Sequence, residues 1–373
     1  MTKKNTPTTK AKKENLEGKV LVSFAALNPY YTTNITSAEE KEIRGVDFIS
    51  WGDANRYPDY LFGLYTDVTL FRTIVNGIAD YVVGDGVKSN VSQLSPEDAE
   101  NLVRNLALDY ALYGGFAIDV ERSKEKKIAK ILPLSMKDVR SNKDNDFLFY
   151  STDWSKSAGR VDFTKYGKFR PDGEEFSSIY YFKNFTSKVY PMAPLEGDGA
   201  IACETLKAIS DFHFNNINNG FASNYIINLN NGVPTDEQKK EIEDNITEKF
   251  TGYQNAGRPV ISFNADKDHE STISKIEQDD FDKKYEALRT NSQQVLFMAY
   301  KAAPNLFGLI NDNKGFAEEN YNDAMKLFNR TVIRPIQKKI CNAVDYITGQ
   351  ADSLTIKPFS IDWSDDAEEK VVE

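Results

Sequence analysis

The sequence predicts an α+β fold, and three observations carry that prediction. Two helical stretches in the first third each stop on glycines, at 84–86 and at 114–115. From 116 to 182, short segments rich in β-branched and aromatic residues alternate with turn signals such as Pro171-Asp-Gly173. Beyond residue 279, apolar residues fall on a heptad pattern that marks a long helix.

The chain has 373 residues, enough for more than one domain and a sizeable core. Its formal charge of −10 argues against a protein that grips nucleic acid, because phosphate binding needs clustered Lys and Arg. DNA that only passes by is compatible with that charge. Two cysteines, Cys203 and Cys341, make no disulfide framework and point to a reducing compartment. No apolar run reaches the length of a membrane span. Nothing apolar follows Met1-Thr-Lys-Lys as a signal peptide would require, so the expectation is a cytoplasmic chain with no membrane partner.

Taken in order, residues 1–19 are nearly free of apolar residues and read as a disordered Lys-rich arm. Order is expected to begin near Val20, and as a domain the disordered arm is taken as 1–40. After the segment from Phe48 to Pro58, a single helix is expected over 59–83. A second helix opens at Ser95-Pro96, with Ser as N-cap and Pro in the first turn. Its apolar residues, Ala99, Leu102, Val103, Leu106, Tyr110 and Tyr113, recur at helical spacing. Strands are expected over 116–121, 128–132, 147–152 and 178–182.

A helix over 200–219 follows, and then a strand–helix–strand unit. Its strands are 225–229 and 259–263, and a capping box, Thr235-Asp-Glu-Gln238, opens its helix. Phe281, Tyr285, Leu288, Ser292, Val295, Ala299 and Ala302 then lie alternately four and three apart. The helix they imply, 279–303, is about 37 Å long at 1.5 Å per residue, with Pro304 as its terminator. After a loop over 305–315, a last helical pattern runs from Tyr321 to Ile347. Pro335 lies in its middle, where a missing N–H should bend the helix just ahead of it.

Candidate chemistry is sparse. Gly84-Asp-Gly-Val-Lys88-Ser89 lacks the glycine that a phosphate loop places before its Lys, and reads as a helix stop and turn. Asp119 and Glu121 on a strand, near Lys124 and Lys127, are the residue types of a metal-dependent nuclease, whose carboxylates hold the ion beside a Lys; a solvated hairpin tip explains them more simply. His213 and His269 have no partners at ligand spacing, and both cysteines read as buried and inert. The acidic pairs Asp279-Asp280 and Glu318-Glu319 fall where a helix dipole favours acids. No catalytic residue, cofactor or metal is expected.

From Trp51 onward the order of elements resembles the portal proteins of tailed bacteriophages of the HK97-like type. The resemblance covers roughly 48–347 and rests on an ordered series. The series runs through Asn219-Gly-Phe221, Thr235-Asp-Glu-Gln238, Gly252-Tyr-Gln-Asn-Ala-Gly-Arg-Pro259 and Ala303-Pro-Asn-Leu-Phe-Gly308. It closes with Phe316-Ala-Glu-Glu319 and Phe328-Asn-Arg-Thr-Val-Ile-Arg-Pro335.

The resemblance implies a portal fold. Residues 41–199 would be an α+β wing, 200–222 and 279–303 the two stem helices, and 223–278 a small clip. Residues 304–350 would be a tunnel loop and kinked wing helix. A short tail over 351–373 would leave the crown minimal or absent. It also implies a ring, usually of twelve subunits, at one capsid vertex, beside the major capsid protein. The ring would dock the large terminase subunit and then a head–tail connector, and double-stranded DNA would pass through it without sequence recognition. Asn311, Asp312, Asn313, Lys314, Glu318 and Glu319 would face the DNA. Glu237, Lys240, Glu241 and Asp244 would face the terminase, and Phe281, Tyr285, Leu288, Val295 and Ala299 would pack the stem. The alternatives are another head–tail connector or minor capsid protein, and the nuclease.

Overall fold

The computed structural model describes residues 38–52, 54–156, 161–185, 187–218, 226–229, 235–238, 241, 251–252, 255–256, 260–263, 281–309 and 318–360. Residues 1–37 of the expected arm, 1–40, lie outside the described residues, as does the expected onset of order at Val20. Glu40, assigned to that arm, belongs to the fold. It opens β1 (Glu40–Glu42), which pairs antiparallel with β2 (Ile49–Trp51). Its carboxylate accepts the N–H groups of Val189 and Tyr190 at 3.0 and 2.8 Å.

The helix expected over 59–83 is two helices, α1 (Tyr57–Asp67) and α2 (Thr69–Val83), with Val68 extended between them. Thr66, Asp67, Val68 and Thr69 are all poor helix formers, so the chain breaks at their run. Arg72 donates to the Thr66 carbonyl at 2.9 Å and satisfies the end of α1. The strand β3 (Val87–Ser89) leads to α3 (Pro96–Tyr113). Ser95 Oγ accepts the Asp98 N–H at 3.1 Å, and Gly114 closes the helix in the left-handed conformation.

A six-stranded sheet follows. Its strands are β4 (Gly115–Arg122), β5 (Ile128–Leu134), β6 (Val139–Ser141), β7 (Phe147–Tyr150), β8 (Thr164–Lys168) and β9 (Ser177–Lys183). They lie in the order β5-β4-β9-β8-β7-β6, antiparallel except for β8 with β9. Of these, β6 and β8 are not among the expected strands. The edge strand β5 carries Pro133 opposite Ile118. A residue without an N–H is tolerated at an edge and blunts it against further pairing.

Next come α4 (Asp198–Asn218) and the strand–helix–strand unit. Here β10 (Ile226–Leu229) pairs parallel with β13 (Val260–Phe263), and β11 (Thr251–Gly252) with β12 (Asn255–Ala256). Residues 236–238 and 241 are helical. The capping box is made: Thr235 N–H donates to Gln238 Oε1 at 3.1 Å, and Gln238 N–H to Thr235 Oγ1 at 3.4 Å. Ile242, Ile246 and Phe250, the expected apolar face, lie outside the described residues.

The heptad helix is α5 (Phe281–Ala299). Pro304 does not end it. Lys301 adopts a left-handed conformation (φ 51°), its N–H reaches Met298 O at 3.1 Å, and Ala302 N–H reaches Phe297 O at 2.9 Å. That pair of bonds satisfies the last carbonyls ahead of the proline. Pro304 instead opens a 3-10 turn, Pro304–Phe307, so the first part of the expected loop is folded. Its Leu306 is buried.

The last helical pattern is α6 (Glu318–Phe328), a π-helical turn (Asn329–Ile333) and α7 (Arg334–Thr348). In a straight α-helix the Pro335 ring would meet the Thr331 carbonyl. The chain widens into a π turn at that point, which is the interruption expected ahead of Pro335. The expected tail is also partly ordered. β14 (Leu354–Ile356) pairs antiparallel with β3, with Ser353 and Leu354 buried.

One continuous core joins α1, α2, α3, one face of the sheet, α7 and the inner faces of α4 and α5. Phe71, Ile74, Leu102, Phe116, Ile118, Leu296 and Ile340 are fully enclosed, each contributing about 1.5–3 kcal/mol of burial. Arg140 is buried as well, beside Trp51 and Trp154. Its guanidinium donates to Asn55 Oδ1 (2.5 Å) and O (2.8 Å) and to Lys137 O (2.7 Å), and stacks on Trp154. Carbonyl acceptors and a π face make its burial tolerable, while desolvation holds its pKa below the usual arginine value.

Candidate functional site

The two long helices α4 and α5 pack antiparallel. A Cβ on Gly199, at the start of α4, would stand 3.7 Å from Ala299 Cβ at the end of α5. Toward the other end, the rings of Phe212 and Tyr285 lie 4.8 Å apart. Ala202, Cys203 and Ile209 of α4, with Ser292, Leu296 and Phe297 of α5, face inward and are buried. Burial pushes the Cys203 thiol up to about 12, so it is inert at neutral pH. Cys341, expected buried, is only partly so; its thiol is raised to about 11.

Large apolar side chains on the same two helices remain uncovered. Ile201 is 61% exposed, Phe214 64%, Leu288 48% and Met298 69%. Of the expected stem residues, Tyr285, Val295 and Ala299 are half-buried and Leu288 is exposed. The side chain of Phe281 lies outside the described residues. Sequence reasoning missed Leu296 and Phe297, which point inward beside the heptad line because α5 also faces the 3-10 turn: Phe297 and Phe307 rings lie 6.0 Å apart. It also missed the exposed aromatics. The run Phe212-His213-Phe214 was the available signal, since three consecutive rings cannot share one helix face. His213, expected as a packing residue, is exposed, with its ring 5.8 Å from that of Tyr285.

Glu237 and Glu241 are exposed, while Lys240 and Asp244 lie outside the described residues. Asn311, Asp312, Asn313 and Lys314 also lie outside them. Glu318 and Glu319 begin α6, their side chains not described.

The flanks of 310–317 are built on α2. Tyr81 donates its hydroxyl to Leu306 O at 2.8 Å and lies 3.4 Å from the Tyr321 hydroxyl. Its ring meets Phe307, Phe328 and Phe359 edge-on, at 6.0, 5.9 and 5.0 Å. No local pattern marks Tyr81 in the sequence.

The nuclease candidates are ordinary sheet residues. Asp119 accepts from Ser177 Oγ at 2.7 Å and Glu121 pairs with Lys130 at 3.3 Å. Burial raises the Asp119 carboxyl. Gly84 caps α2, and Val87 to Ser89 continue as β3, so the phosphate-loop pattern has no loop.

Exposed apolar side chains along two packed helices are a feature of interaction surfaces. A family model described as phage portal protein matches residues 95–358. The chain belongs to the phage portal protein family, a structural rather than enzymatic one. Among solved structures, the chain is similar to one titled the neck of an empty gene transfer agent (GTA) particle computed with C6 symmetry. The identity is 16%, over 85% of this chain and 91% of that one, with a TM-score of 0.53. It is similar to a chain from the virion of a native gene transfer agent particle at 19% identity, covering 84% and 87%, with a TM-score of 0.51. It also resembles the crystal structure of an HK97 family phage portal protein from Corynebacterium diphtheriae at 8% identity, covering 83% and 98%, with a TM-score of 0.50. At these identities the likeness is one of fold. An uncharacterized protein of Rickettsia bellii is 26% identical over 198 residues, 52% of this chain. The chain spans about half the length of that relative, 48%.

Proposed function

We propose that this chain is the subunit of a portal ring, set at one vertex of a phage-type capsid, through which double-stranded DNA is packaged and released. The observation that carries this reading is the uncovered apolar surface of α4 and α5 in a chain of the portal family. Ile201, Phe214, Leu288 and Met298 find their cover on a neighbouring copy, and a head-to-tail contact that closes on itself makes a ring. Twelve copies is the number the family resemblance suggests. In this reading 41–199 is the wing, 200–222 and 279–303 the stem helices, 223–278 the clip, and 304–350 the tunnel loop and kinked wing helix. The clip presents Glu237, Lys240, Glu241 and Asp244 to the large terminase subunit and later to the head–tail connector. Residues 311–314, with Glu318 and Glu319, face the channel.

The charge supports a conduit. Each Lys or Arg contact to phosphate adds a barrier to sliding, and a chain of formal charge −10 keeps such contacts few. The test is a negative-stain image of the purified full chain. A ring with a central hole and a wing-and-stem profile is the expected result; a monomer or an open filament at assembly concentrations counts against it.

A further inference from the structure

The chain carries a formal charge of −10, yet between Asp323 and Asp345 it has five basic residues and no Asp or Glu. That stretch covers the end of α6, the π turn and most of α7. Its inner face is fixed, with Phe328, Ile333, Ile336 and Ile340 buried in the core. Lys339 also turns inward, its Nζ 4.5 Å from the centre of the Tyr110 ring. The other four, Lys326, Arg330, Arg334 and Lys338, are exposed and recur every four residues. On a regular α-helix that spacing drifts round the axis by about 40° per step. The π turn spans the step from Arg330 to Arg334, and its wider coil takes back part of the drift. The four cations therefore form one line, about 18 Å long at 1.5 Å per residue.

Exposed cations elsewhere are commonly paired, as Arg104 is with Asp80 at 2.7 Å and Lys126 with Glu174 at 2.6 Å. Lys326 has only a surface partner, Asp323 at 3.3 Å, a pair worth little. Arg330, Arg334 and Lys338 have no carboxylate partner among the described residues. A single small anion would need them to converge on one point. Spaced a turn apart along a line, they match a row of phosphates instead. Among the large apolar side chains of this stretch only Leu327 is exposed, whereas the centre of a protein interface is apolar and poor in charge. We propose that Lys326, Arg330, Arg334 and Lys338 bind the phosphate backbone of double-stranded DNA without sequence preference. The net charge does not oppose this, because salt screens charges more than about 8–10 Å away and the local field decides. The site is distinct from the channel-facing residues named above, and that DNA reaches it rests on the portal reading.

The test uses the full chain and a fluorescently labelled duplex of about 30 base pairs, with binding followed by anisotropy between about 50 and 200 mM salt. Arg330→Gln, Arg334→Gln and Lys338→Gln together should weaken binding at the lower salt about tenfold or more. Three lost phosphate contacts should also flatten the slope of log K against log salt by about 2.7 per bound subunit. Lys88→Gln, Lys124→Gln and Lys168→Gln together remove the same charge from scattered exposed positions and should change neither quantity. Arg330→Lys with Arg334→Lys should retain binding. Equal losses in the two triple variants would reduce the effect to net charge and overturn the site. So would a parent chain that fails to bind the duplex at the lower salt. A stripe triple that folds by circular dichroism but no longer forms the parent's rings gives the stripe to a neighbouring subunit and overturns the proposal. Negative-stain images of the parent judge the portal reading separately. Stripe-dependent binding by a chain that forms no rings upholds the site and rejects the portal; rings that bind the duplex no better than the stripe triple does reject the site and leave the portal standing.

Discussion

Asp109 sits where α3 meets the short 3-10 turn Met136–Asp138, and its carboxylate accepts the Met136 N–H at 2.7 Å. Burial pushes that carboxyl up to about 7; the Met136 bond opposes the shift and the nearby Asp138 charge adds to it. The folded-state value lies above the ordinary 3.8 of a free side chain. The stability contributed by Asp109 is therefore fully present below that ordinary value and is lost as the pH rises through 7. Asn has the same shape and an oxygen to accept the same N–H, without the charge. Asp109→Asn should stabilise the fold at pH 8 by about 1–3 kcal/mol and by less and less as the pH falls toward 4. Denaturant melts at pH 5 and pH 8 measure it; an equal effect at both values would mean that the carboxyl is not shifted.

At the scale of the element, α5 carries the sharpest expectation. Leu288 is about half exposed in the single chain. Leu288→Asp should leave the subunit folded, because little of that side chain is packed against its own chain. In the proposed ring the same charge would be buried without a partner, at a cost of several kcal/mol. Circular dichroism should be unchanged and assembly lost by light scattering; normal assembly would place the residue in solvent. The clip helix gives a complementary test. Glu237 and Glu241 are exposed one turn apart. Reversing both to Lys should weaken terminase capture in a pull-down while rings still form, since rim charges tune association more than folding. Undiminished capture would remove these residues from the docking surface.

Which elements were legible in the sequence follows from how local their causes are. α3 was readable because Ser95, Pro96 and Gly114 bound it within its own length. The capping box at Thr235 was readable for the same reason. The break at Val68 was hidden by apolar residues that continue with helical spacing on both sides. The strands β3 and β14 were not visible, since three residues make a strand only against a partner, and here the partner is Leu354 opposite Ser89. Tyr81 is the extreme case. The carbonyl that receives its proton is 225 residues away, and no local pattern records that.

At the scale of the whole molecule, the proposed conduit requires that its narrow part touch the duplex without gripping it. Asp312 and Lys314 nearly cancel, and Glu318 and Glu319 would repeat around a ring as a weak, salt-screened repulsion. Deleting 311–314 should leave rings and empty capsids intact and should lower the yield of full, stable particles. Parent-like yields of DNA-filled particles would show that the segment has no part in packaging or retention.

The pairing of β14 with β3 also orders events in time. Residues 354–356 leave the ribosome long after 87–89, and Tyr346, which covers Phe169 and Tyr180 of the sheet region, leaves it almost as late. Contacts so distant along the chain form slowly and cannot form at all on a half-made polypeptide. Until then one face of the sheet and the ring of Tyr81 lack their cover from α7 and Phe359. A chain truncated before α7 therefore leaves exposed apolar surface that the full chain buries, and circular dichroism of such a truncation should show a lower melting midpoint than the parent.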